Sequence, residues 1–112
     1  MSWLFRALAI GFLGAAVFHG AAFFHPSLEP RQSPLGHALF VPLNLIFAVG
    51  TLLRPRWFVW AFAALCAQQL YAHGVAGWTA WRDGWFDWRS LLVVVTLPMA
   101  LALFVYDARL RS

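Results

Sequence analysis

This sequence predicts an all-α integral membrane protein, a four-transmembrane-helix bundle, and three observations carry that reading. Of 112 residues, 62% are hydrophobic and only 11% charged, too few polar groups to cover a water-soluble domain of this size. The charges cluster, leaving long stretches with none. Four of these stretches, about 3–24, 35–53, 57–77 and 90–106, reach the length a crossing needs, about 20 mostly apolar residues with roughly 17 tolerated. Lipid offers the backbone no hydrogen bonds, so each run must close its own as a helix. The chain, 1–112, reads as a single transmembrane domain without internal repeats.

The first run opens like a secretory leader. Arg6 precedes an apolar stretch to Phe18, and Gly20, Ala21 and Ala22 offer small residues near a cleavage point. The apolar run continues through Phe23 and Phe24, long enough to span, and is read as a retained helix. Pro26, Pro30 and Pro34 then break the chain, and Pro55 forces a tight turn between the second and third runs. Pro42 and Pro98 add kinks inside the second and fourth.

The connection from Trp78 to Arg89 has its own pattern. Trp78, Trp81, Trp85 and Trp88 recur at steps of three, four and three, which places them on one face of a helix. Tryptophan favours the headgroup level, so this segment is predicted to be a short helix lying on the membrane interface, with Gly84 a point where it can turn. Its alternative use is an aromatic platform for a sugar, a cation or a partner.

Arginine sets the direction. All eight basic residues are arginines; Arg6, Arg54, Arg56, Arg109 and Arg111 fall on one side, Arg31, Arg82 and Arg89 on the other. The bias places both termini in the cytoplasm of a bacterial-type inner or plasma membrane. Arg54 and Arg56 anchor their turn to anionic headgroups. The formal charge of +4 does not imply nucleic acid, because no basic patch interleaved with aromatics lies in a water-facing segment. Cys66 is the one cysteine and excludes an internal disulfide.

The four histidines are the chemical feature. Alternating helix direction brings His19, His25, His37 and His73 to the same end of the helices, whichever way the bundle faces. His25 precedes Pro26 and is read as a loop residue. His37 and Asn44 share a face of the second helix, Gln69 and His73 a face of the third, and His19 lies with the small residues Gly11, Ala15 and Ala22. Imidazole is a common ligand for zinc, copper, iron and haem, so His19, His37 and His73 are the candidate cofactor or metal ligands, for haem or a transition metal. Asn44, Gln68 and Gln69 form the expected polar interior. The plainer alternative is that these side chains are hydrogen-bond links between helices. No H-x-x-x-H pair, Ser-His-Asp arrangement or phosphate-binding glycine loop is present, and no carboxylate falls inside the predicted spans.

The functional expectation that follows is a small, non-enzymatic membrane protein. It would be an accessory or self-associating subunit, partnered by the lipid bilayer and by further copies or a larger membrane complex. The rivals are a haem- or metal-binding protein that handles electrons or metal ions through His19, His37 and His73, and a small-solute transporter using Asn44 and Gln69.

Overall fold

A computed structural model describes Met1–Ser112 in full, and it is all-helical without strands. Its helices are α1 (Ser2–Phe24), α2 (Pro34–Leu53), α3 (Phe58–Arg82) and α4 (Trp88–Leu110), with one 3-10 turn at Pro26–Leu28 after α1. α1, α2 and α4 are long and apolar enough to cross a membrane. α3 is the longest at 25 residues, about 37 Å at 1.5 Å per residue. Gln68, Gln69, His73 and Arg82 make it less apolar than the others. The helices form two compact units, Met1–Arg54 and Pro55–Ser112.

Local chemistry explains each boundary. α1 stops at His25, whose extended backbone (φ −129, ψ 78) is what a following proline enforces. Ser33 caps α2 by accepting from the Gly36 amide at 3.1 Å, and Pro34 occupies the first turn, where its missing N–H costs nothing. α2 ends with Arg54 in the left-handed region (φ 48, ψ 52), ahead of Pro55. α3 closes in a Schellman turn: Trp85 N–H donates to Ala80 C=O at 3.0 Å and Gly84 N–H to Trp81 C=O at 3.1 Å, with Gly84 at φ 86. Asp87 caps α4 by accepting from the Ser90 amide at 3.1 Å.

In the first unit, α1 and α2 pack as an antiparallel hairpin in heptad steps. The Arg54 guanidinium lies 4.5 Å over the Phe5 ring, Phe12 meets Phe47 at 5.7 Å, and His19 stacks on Phe40 at 5.1 Å. Each contact is seven residues along α1 and seven back along α2, the spacing that keeps two helices in register over their length. Ala9 and Ala16 are buried between these rungs and Ala22 beyond the last, and they let the backbones approach. The row through His19 therefore contains Ala16 and Ala22, while Ala15 is only half-buried and Gly11 is exposed.

In the second unit, α3 and α4 form another antiparallel hairpin. Phe104 packs on Phe58 at 5.3 Å and on Phe62 at 4.7 Å, and Cys66 and Ala100 are buried further along. Two expectations need correction here. The tryptophan-rich stretch is not a separate interfacial helix: Trp78 and Trp81 belong to α3, Trp85 to the turn, and Trp88 opens α4. Nothing before Gly84 breaks the helix, so α3 runs on through it. The fourth helix also extends past residue 106 and so contains a carboxylate, Asp107, buried and paired with Arg111 at 2.9 Å.

Candidate functional site

The polar residues form two clusters, one in each unit. In the first, His37 is completely buried and His19 half-buried. Their Nδ1 atoms stand 2.9 Å apart, and His37 Nε2 lies 3.2 Å from the Glu29 carbonyl oxygen. A carbonyl can only accept, so His37 Nε2–H is the donor there. With both rings neutral, the His37 Nδ1 lone pair must accept from His19 Nδ1–H. The hydrogen-bond network thus assigns both tautomers. Glu29 is positioned by its bond to Arg31 (3.0 Å), so the first loop is tied to the buried end of the pair.

His73 belongs to the second unit. Its Nδ1 lies 3.1 Å from Ser90 Oγ, and Ser90 Oγ donates to Asp87 Oδ2 at 2.6 Å. The single hydroxyl proton is committed to the carboxylate, so His73 Nδ1–H must donate to Ser90. This order, carboxylate–serine–histidine, differs from a hydrolytic triad, in which histidine stands between the other two and takes the serine proton. Ser90 thus links α3 and α4 by bonding both His73 and Asp87. Beside it opens a cleft of about 330 Å³ walled by Trp78, Trp81, Trp85 and Phe86.

Among the predicted site residues, the structure joins His19 to His37 and gives His73 a different partner, Ser90. No group of three or more His, Cys, Asp or Glu side chains is arranged to hold a metal ion. Asn44 is buried, with its amide donating to Phe40 C=O at 2.7 Å. Gln68 is exposed and Gln69 half-buried, and their amides bond to each other at 2.6 Å. Arg54 covers Phe5, and Arg56 donates to the Arg111 carbonyl at 3.3 Å. His25 is exposed between α1 and the 3-10 turn. Sequence reasoning missed Ser90 and the buried role of Asp87. The signal was available in Asp87-Trp88-Arg89-Ser90, a capping residue three positions before a hydroxyl at the start of an apolar run.

Compared with known protein families, curated proteins and solved structures, the chain matches none. Its class is therefore read from the fold and the two clusters alone.

Proposed function

We propose that this protein is a small polytopic membrane protein with all four helices crossing the bilayer, acting as a non-enzymatic accessory or self-associating subunit of a membrane complex. One observation carries the reading: large apolar side chains face outward on every helix. Val17 is 73% exposed, Leu53 74%, Trp60 78% and Met99 68%. In water such a surface aggregates, whereas in a bilayer it meets acyl chains or other helices. α3 crosses in this account because it lies alongside α4, with Phe58 against Phe104 at one end and His73 bonded to Ser90 at the other. That pairing with an apolar helix supports a crossing by α3.

The two polar clusters support a structural role. Each consists of side chains bonded across a helix pair, the kind of link worth about 0.6–2 kcal/mol in a membrane. The arginine bias supports a reading with both termini on the cytoplasmic side of an inner or plasma membrane.

Light scattering in mild detergent, with cross-linking in the native membrane, tests the subunit assignment. A mass of two or more copies, or a co-purifying protein, is expected. A clean monomer in both experiments contradicts it.

A second reading has one specific observation in its favour, the meeting of His19 and His37. Two imidazole nitrogens bound to one tetrahedral ion at about 2.0–2.1 Å each stand about 3.3 Å apart, a small opening from the observed 2.9 Å. A haem ligated on opposite faces would need about 4 Å at the same bond length, so this contact favours a small ion over haem. Elemental analysis decides it: a stoichiometric metal lost in His37→Leu supports a metal site, and background levels exclude it.

A further inference from the structure

The second unit carries a groove of about 500 Å³ along the α3–α4 hairpin, separate from the tryptophan cleft. Leu70 and Pro98 form one end, Leu101 and Val105 continue the wall, and Tyr106 and Arg109 stand at the other end. Ala102 lines the groove between them and is too small to close it.

We propose that this groove binds one anionic phospholipid, with an acyl chain along the apolar wall and its phosphate at Arg109 and Tyr106. The proposal rests on the membrane reading above. Length is the first support. Arg109 stands eleven positions after Pro98, about 16 Å of helix, and one leaflet of a hydrocarbon core about 30 Å thick is about 15 Å. The groove thus runs from the headgroup level to the bilayer centre, the reach of a lipid tail.

Charge is the second support. The Arg109 guanidinium makes no hydrogen bond or ion pair, in contrast to Arg111, which is held by Asp107 at 2.9 Å. Arg56 is brought to the same end by its bond to the Arg111 carbonyl, so neither Arg56 nor Arg109 meets a carboxylate. The Arg109 guanidinium in the groove wall, with Arg56 at the same end of the hairpin, selects an amphiphile with a negative head over a zwitterionic one. A guanidinium fork also matches phosphate oxygens better than a simple point charge does.

The test is lipid retention by native mass spectrometry, after reconstitution in nanodiscs containing equal dioleoyl-phosphatidylglycerol and dioleoyl-phosphatidylcholine. The wild-type chain should retain phosphatidylglycerol about fivefold over phosphatidylcholine. Arg109→Gln should bring that ratio close to one, Ala102→Phe should reduce retention of either lipid, and Arg82→Gln at the other end of α3 should change nothing. Equal retention by the wild type, or an unchanged preference in Arg109→Gln, overturns the site while leaving the membrane reading intact. A dimer peak abolished by Ala102→Phe overturns it as well, because the groove would then seat a second copy. Failure of the chain to enter the nanodisc at all contradicts the membrane reading itself.

Discussion

His19 and His37 meet Nδ1 to Nδ1 at 2.9 Å, one from each helix of the first unit. The Glu29 carbonyl accepts from the far nitrogen of His37, so a chain of two hydrogen bonds runs from the first loop through a fully buried ring into α1. The histidine on α1 occupies the third rung of a ladder whose other two are phenylalanines. It therefore does two jobs at once, stacking on Phe40 and holding His37.

Removing one ring leaves the other with an unsatisfied polar atom. His37→Leu should destabilise the chain by about 1–3 kcal/mol, the cost of a buried group that loses its partner. His19→Phe keeps the stack on Phe40 but strands Nδ1 of the fully buried His37, so it should cost a similar amount. The double substitution should cost less than the sum of the singles, with a coupling of at least about 0.5 kcal/mol. Denaturant unfolding in mild detergent measures all three, and strict additivity would show that the bond is not made.

Arg54 combines a strained backbone with a useful side chain. Its left-handed φ of 48 costs a residue with a Cβ about 1–2 kcal/mol, partly offset by the guanidinium over Phe5, worth about 0.5–1 kcal/mol. Arg54→Ala loses the cation and keeps the strain, whereas Arg54→Gly loses both. The glycine variant should be the more stable of the two by about 1 kcal/mol, read from thermal unfolding in the same detergent. The reverse order would place that backbone outside the left-handed region.

The α3–α4 turn depends on two residues three positions apart, Gly84 and Asp87. Asp87→Ala removes the cap of α4 and the acceptor of the Ser90 hydroxyl, and should cost about 1–2 kcal/mol. Gly84→Ala places a Cβ at φ 86 and should cost about 1–2 kcal/mol. Asp83→Ala, at an exposed neighbour, should be within about 0.5 kcal/mol of wild type. Equal effects at Asp83 and Asp87 would mean that the cap contributes nothing.

The helices were legible because apolar runs and proline breaks are local signals, and Ser33-Pro34 announces the start of α2 as it would in any helix. That His19 and His37 lie at the same end of α1 and α2 was legible, because two antiparallel helices joined by one loop bring those positions to one depth. Their contact depends on helix rotation, which the pattern does not fix. The tryptophan pattern misled for a definable reason. A step of three, four and three assumes one continuous helix, and the glycine turn at residue 84 splits the series between α3 and α4. His73 was placed with the other histidines by depth and by the face it shares with Gln69, and neither fixes how α3 is rotated. Its actual partner, Ser90, became visible only once α3 and α4 were paired. Asp107 was missed by a single residue of helix end, the least certain feature of any periodic pattern.

The central claim is that α3 crosses the membrane together with α4, and accessibility of single cysteines tests it most directly. In a Cys66→Ala background, cysteines placed at Ser2, Ser27, Arg56, Gly84 and Ser112 are labelled from one side of sealed vesicles with a membrane-impermeant maleimide. The account predicts that Ser2, Arg56 and Ser112 label from one side, and Ser27 and Gly84 from the other. Labelling of Gly84 from the same side as Arg56, with Ser112 opposite Ser2, would show that only three helices cross and would contradict it.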